Sequence, residues 1–285
     1  MAPAWSFKPT TSAAPPPPPD LFRLGQVLWL KGADSWIPGT GPLAGRIVGA
    51  TDLSTAGQDF ETDTNFEPLS TGATIDGVDC VSYGFNLGYY LIRDGALKDR
   101  NGVNMGYADG DNQAKSIYIV ARSTTGVFSI TGGPLYSMTD IHGPRFECLF
   151  DLEGNFGDPD AFYLWSSEWR SNTNKIRGPD TPGSTFDDVA SMLEWRSDAF
   201  PNITIARNGT DIAITPSSMP GSIGGDHVAR TLVGNIDVDG FGLNFSVDIA
   251  EVIVYDYDTA TIPAARQAIL QYLADTYPTI PIVVP

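Results

Sequence analysis

Positive charge is scarce in this sequence: 17 Lys and Arg stand against 34 Asp and Glu, a formal net charge of -17. The basic residues are scattered and form no stripe, which argues against nucleic acid or an anionic membrane as partner. Cysteine is nearly absent. Cys80 and Cys148 lie far apart, without the paired spacing of a metal site. They are either one disulfide or two buried thiols, and the strong burial preference of cysteine favours thiols. The two histidines, His142 and His227, show no H-E-x-x-H spacing, and no G-x-S-x-G elbow occurs. No stretch reaches the ~20 apolar residues of a membrane-spanning helix. From Met1 to Lys8 there is neither a basic n-region nor an apolar run of signal-peptide length, so a product made in a cytoplasm without an export leader is expected.

Turn formers are plentiful: 30 Gly and 22 Pro in 285 residues, with 42% hydrophobic residues. That composition belongs to a globular chain with many short elements. Residues 1–25 stand apart. Pro3, Pro9 and the run Pro15 to Pro19 favour extended polyproline II, which gives no ladder donor to a sheet. Trp5, Phe7, Leu21 and Phe22 flank this stiff spacer and are the candidate anchors of a docking arm. Residues 26–285 are expected to form one domain.

Within that domain short β-prone runs alternate with turns. They are Val27 to Leu30, Val78 to Phe85, Ser116 to Ala121, Val127 to Ile130, Arg145 to Leu152, Ala161 to Trp165, Met192 to Arg196, and Ile249 to Tyr255. Ile203 to Ala206 and Ile212 to Ile214 flank Asn208-Gly209, the strongest short hairpin signal. One helix is expected over Thr261 to Thr276. Its apolar face is Ile262, Ala265, Ile269, Tyr272 and Leu273, with Thr261 as cap and Pro278 as stop. The fold class is all-β: a two-sheet antiparallel jelly-roll sandwich, one short C-terminal helix and the extended arm.

The last third carries a resemblance. Ile205-Ala206-Arg207-Asn208-Gly209-Thr210, then Arg230 to Gly234, then Asp248-Ile249-Ala250-Glu251-Val252-Ile253-Val254-Tyr255-Asp256, and then Gln271-Tyr272-Leu273 follow one another in this order. Together they resemble the closing half of laminin-G-like or concanavalin A-like jelly-roll domains, with an Asn-Gly hairpin, a glycine-ended strand, a strand reading I-A-E-V-x-V-Y-D and a helix finishing in Y-L. Val27 to Asp34 is similar to the opening strand. The resemblance implies a sandwich that binds sugars or proteins, as found in bacterial surface proteins and phage particles. It does not imply catalysis.

Candidate chemistry is sparse. Glycosidases need paired carboxylates. Asp248 and Glu251 are three apart, so on a regular strand they face opposite sides, which leaves only Glu168 and Glu194 conceivable. Asp109, Asp111 and Asn112 offer the clustered oxygens that Ca2+ takes. Asn235 to Gly240 begins like an EF-hand loop, but Ser246 stands at its twelfth position. The rings available for sugar stacking are Trp36, Tyr89, Tyr90, Trp165, Trp169 and Trp195. Trp169, Arg170, Asn172 and Trp36 are the ligand candidates. The leading expectation is a non-enzymatic virion protein of a bacteriophage, decorating the capsid or serving the tail. Its arm would hold it, within an oligomeric assembly, to other virion proteins, and cell-surface glycan is a further expected partner. The alternatives are a bacterial carbohydrate-binding or adhesion module at the cell surface and, last, a glycan-cleaving enzyme.

Overall fold

The computed structural model describes residues 20–62, 67–83, 90–95, 97–105, 114–123, 134–139, 145–151, 161–167, 175–177, 189–199, 202–212, 215–216, 230–234 and 247–285. The first strands are β1 (Gln26–Lys31), β2 (Trp36–Pro38), β3 (Ile47–Ala50), β4 (Phe60–Glu61), β5 (Thr74–Ile75), β6 (Val78–Asp79), β7 (Val81–Tyr83) and β8 (Tyr90–Asp94). Next come β9 (Lys115–Ser123), β10 (Pro134–Thr139), β11 (Arg145–Asp151), β12 (Ala161–Ser167) and β13 (Lys175–Arg177). The last are β14 (Ser191–Ala199), β15 (Asn202–Arg207), β16 (Thr210–Ile212), β17 (Thr215–Pro216), β18 (Arg230–Gly234) and β19 (Val247–Tyr255). A one-turn helix α1 (Gly32–Ser35) follows β1, and α2 (Pro263–Thr276) follows β19.

The strands build an antiparallel sandwich. The 7-stranded sheet runs β1-β19-β9-β14-β15-β16, with β7 also on β19. The 10-stranded sheet runs β17-β13-β12-β11-β10-β18-β8-β4-β3-β2. Between them lies a core to which the first sheet gives Leu28, Leu30, Ile117, Ile119, Leu193, Val252 and Val254, and the second Trp36, Ile47, Phe60, Leu91 and Val233. Each fully buried aliphatic of this kind contributes about 1.5–3 kcal/mol.

A second core lies on the outside of the 7-stranded sheet. Ala265, Ile269, Leu270 and Leu273 of α2 pack there with Tyr277 and Ile280 against Tyr118, Val120, Met192, Ala250, Ile253 and Tyr255. The helix therefore seals one face of the sandwich. Its expected face holds at Ala265, Ile269 and Leu273, but Ile262 is 37% exposed and Leu270 takes its place. Thr261 does not cap α2. It ends a separate 3-10 turn, Thr259–Thr261, whose cap is Asp258, accepting a hydrogen bond from the Ala260 amide. Pro263 at the start of α2 needs no amide partner, so a side-chain cap is dispensable there.

The Asn208-Gly209 turn forms as expected, with φ of 51° and 82°. It joins β15 to β16 and also receives the C-terminal tail, for the Val283 amide donates to the Asn208 carbonyl at 2.8 Å. The glycine ending β18 has a steric cause. Gly234 sits at φ 105°, and a Cβ there would lie 2.1 Å from Cε1 of the buried Tyr83 ring. Cys80 is a buried free thiol, which burial pushes up to about 12. Strand 127–130 lies outside the described residues.

Gly234→Ala should cost about 3 kcal/mol in urea unfolding, because overpacking adds to a strained backbone. Gly72→Ala is the control, since φ is 72° there but nothing stands within 4 Å. It should cost about 1 kcal/mol, the backbone share alone. Equal losses would show that the Tyr83 ring imposes nothing.

Candidate functional site

The outer face of the 7-stranded sheet concentrates buried charge. On a regular strand Asp248 and Glu251 would point apart, but β19 carries a bulge. The register against β9 slips between Ile249 and Glu251, so Ala250 and Glu251 together oppose Val120. Ile249, Val252 and Val254 keep to the inner core, while Asp248, Ala250, Glu251, Ile253 and Tyr255 all lie on the α2 side. The expectation that the two carboxylates face opposite sides is thus overturned by one extra residue.

Sharing a face does not make them a catalytic pair, because each is engaged by its own partners. Asp248, 3% exposed, accepts from the Ser82 hydroxyl at 2.6 Å and from Arg122 at 2.7 Å. Glu194, fully buried on β14, accepts from Arg266 of α2 through two nitrogens at 2.9 Å each, and from the Tyr118 hydroxyl. Arg196 lies 2.8 Å from the same carboxylate and also pairs with Asp211. The bond to Glu194 pushes the Arg266 guanidinium further up its already high range. A buried carboxylate bonded by one guanidinium group and a tyrosine hydroxyl, with a second guanidinium beside it, holds a helix to a sheet. It has no face toward a substrate.

Glu251 differs from these. It is 1% exposed, and its cross-strand neighbour Lys31 bonds to the Tyr272 hydroxyl rather than to the carboxylate. Its oxygens accept from the Trp29 indole at 2.6 Å and from the Tyr272 and Tyr277 hydroxyls at 2.8 Å. Since Tyr272 already accepts from Lys31, its own proton is directed to Glu251 Oε1. Burial raises the carboxyl above the usual carboxylate range, with the three donors and Lys31 opposing. The same burial, with Glu251 beside them, pushes both tyrosines well up.

The residues singled out in the sequence fall as follows. Trp36 is 6% exposed in the inter-sheet core and donates its indole N–H to the Asp79 carbonyl at 3.3 Å, so it presents no ring face to a ligand. Trp195 is 2% exposed in the same core. Phe22 packs on this domain, its ring centroid 4.3 Å from that of Tyr272 and 5.4 Å from that of Trp29. Its carbonyl accepts from the Tyr255 hydroxyl, and Leu21 beside it is half-buried. Trp5, Phe7, Asp109, Asp111, Asn112, Glu168, Trp169, Arg170 and Asn172 lie outside the described residues, as does the loop from Asn235 to Gly240. Among the described residues no three His, Cys, Asp or Glu side chains gather as metal ligands.

No family model and no curated protein matches the chain. Solved structures do. The receptor binding domain of botulinum neurotoxin D superposes with a TM-score of 0.56 at 11% identity, over 90% of this chain and 54% of that one. The binding domain of Paraclostridial Mosquitocidal Protein 1 gives 0.52 at 11% identity, over 83% and 50%. The binding domain of botulinum neurotoxin DC, in complex with rat synaptotagmin II, gives 0.51 at 12% identity, over 88% and 51%. The likeness is one of fold. The chain spans about half the length of these structures.

A raised carboxyl pKa gives stability that is complete below the unfolded value and lost as pH rises through the folded one. The thermal midpoint should therefore fall as pH rises above the ordinary glutamate range, and Glu251→Gln should flatten that part of the profile. The same profile in both proteins would exclude Glu251 as the titrating group.

Proposed function

We propose that this chain is a non-catalytic binding module, a lectin-like sandwich that recognises a glycan or receptor at a cell surface. What carries the reading is the fate of the described carboxylates that the sequence offered for chemistry. Asp248, Glu194 and Glu251 are buried and bonded, and they fix the α2 face in place. Among the described residues that leaves surfaces to present rather than a cleft with reactive groups. The fold supports it too, because the solved structures named above are binding domains, one of them the receptor binding domain of botulinum neurotoxin D and another in complex with rat synaptotagmin II. The analogy is at the level of fold. The finer laminin-G-like assignment rests on the motifs of the last third alone.

We further infer that residues 1–19 attach this module to a larger assembly, a phage particle being the setting proposed, and that the virion is where it acts. Supporting this is the way the arm enters the domain. The turn at residues 20–25 is held by the Phe22 ring, by the Tyr255 bond and by Arg23, which lies 4.2 Å from the Trp29 ring centroid and donates to the Leu53 carbonyl. The proline run joins directly to this held turn. Glycan-cleaving activity is the reading least supported.

The full-length chain should bind cell-surface glycans or receptors on an array and release no cleaved product. It should also form a defined oligomer or join a larger particle in light scattering, and a chain lacking residues 1–19 should not. Turnover of any glycan would sink the module reading. Two monomers of equal behaviour would sink the attachment role and leave the binding role standing.

A further inference from the structure

Three rings meet where the chain enters the domain. Phe22 of the entry turn lies against Tyr272 and Trp29, and those two stand edge to face with centroids 6.0 Å apart. Trp29 and Tyr272 are also the two side chains that donate to Oε1 of Glu251. The seat of the turn and the donors of a buried carboxyl are therefore the same pair of residues. Tyr277, fully buried, serves the other oxygen.

The turn has a pivot. Gly25 takes φ 68°, and its carbonyl accepts from the Asp256 amide at 3.0 Å. Asp256 is itself held by Arg100, whose Nε donates to it at 2.7 Å. From Gly25 onward the chain is thus fixed to the end of β19. Before it, residues 20–24 are held by the Phe22 ring, by the Tyr255 bond to the Phe22 carbonyl, and by Arg23 on the Trp29 ring and the Leu53 carbonyl. Asp20 and Arg23 are exposed, and none of these contacts belongs to a sheet ladder. The turn can lift without opening the sandwich.

Lifting it changes the surroundings of Glu251. With Phe22 in place the carboxyl is 1% exposed behind two rings. Removing Phe22 bares Trp29 and Tyr272, both only half-buried, and lets water approach Oε1. A carboxyl in a dry site favours its neutral form, and one reached by water favours the ionised form. The groups around it do not reverse this. Lys31 on β1 and Asp52, bonded to the Trp29 amide, stay with the domain in both states. Burial pushes Tyr255, Tyr272, Tyr277 and the Cys80 thiol above their ordinary ranges, so they keep their protons while Glu251 titrates. Arg23 and Asp20 leave with the turn, but they are exposed and water screens their charge.

We propose that the entry turn is a proton-linked latch, seated on Trp29 and Tyr272 while Glu251 is protonated and released more often once Glu251 is ionised. Residues 1–19 join the domain through this turn, so the latch sets how firmly their point of attachment is held. It is a property of the described residues and stands whether or not the arm attaches the module to a particle. The sign follows from burial. The seated state holds the carboxyl above its usual range and the lifted state nearer to it. Seating is strongest below the lifted-state value and weakens as pH climbs toward the seated one. With one proton involved, the lifted fraction grows by at most about tenfold per pH unit.

The test follows two signals in the full chain by NMR as pH rises above the ordinary glutamate range. The Gln26 amide donates to the Arg23 carbonyl at 3.2 Å, a bond that swinging about Gly25 breaks. Its hydrogen-exchange protection factor, corrected for the intrinsic effect of pH, should fall by up to about tenfold per unit. Protection of the Asp256 amide, beyond the pivot, should hold. In Glu251→Gln the Gln26 protection should lose its pH dependence. The reciprocal signal is the carboxyl carbon of Glu251. Phe22→Ala removes the ring without touching the carboxyl, and should lower the Glu251 titration midpoint by about one pH unit or more. An unchanged midpoint in Phe22→Ala overturns the latch, even where Glu251→Gln fails to fold. So does Gln26 protection that is constant with pH or falls equally in Glu251→Gln. A parallel fall at Asp256 means that the whole fold opens rather than the turn, and overturns it too.

Discussion

Strand β19 is buried along all nine of its residues, and it carries two carboxylates. Much of the molecule answers that constraint. A β-strand can hide apolar residues on both faces at no cost, but a carboxylate removed from water needs donors supplied by the fold. Asp248 draws in Ser82 of β7 and Arg122 of β9. Glu251 draws in Trp29 of β1 and two tyrosines from α2 and its C-terminal cap. With Glu194 on β14 gripping Arg266, the helix is tied to the sheet near its start and near its end. Apolar contact supplies most of the adhesion of α2, and these bonds fix its position.

The two kinds of buried acid are solved differently. Asp248 and Glu194 meet arginine, so their charge is matched where it sits. Glu251 meets only neutral donors directly, with Lys31 one hydroxyl removed, and burial therefore acts on it with less opposition. The same sheet face thus holds two charge-matched acids beside one whose protonation is coupled to folding. That coupling is local to the end of α2 where Tyr272 and Tyr277 meet the sheet.

What the sequence made legible was whatever depends on local pattern. The β-branched run of β9, the Asn208-Gly209 hairpin and the apolar face of α2 announce themselves in residue type and spacing, and the structure places the first two as expected and the third with Leu270 in place of Ile262. Three features were not legible, each for a physical reason. The bulge at Ala250-Glu251 breaks the period of two without any glycine to mark it, so alternation sent Glu251 to the wrong face. The strands at one end of the 10-stranded sheet, β2 to β4, have two to four residues apiece, too few to show a period. Trp36 looked available because a tryptophan's burial is set by which strand crosses it, and β2 lays it across the inter-sheet core.

The division of labour between the two faces follows from these pieces. A sandwich has two outer faces, and one of them here is spent on the chain's own helix, tail and entry turn, with arginine, tyrosine and carboxylate all consumed internally. Those groups would otherwise be the natural recruits for a polar ligand. A partner of the kind proposed would therefore have to meet a part of the sandwich other than the α2 face, where the entry turn at residues 20–25 also sits.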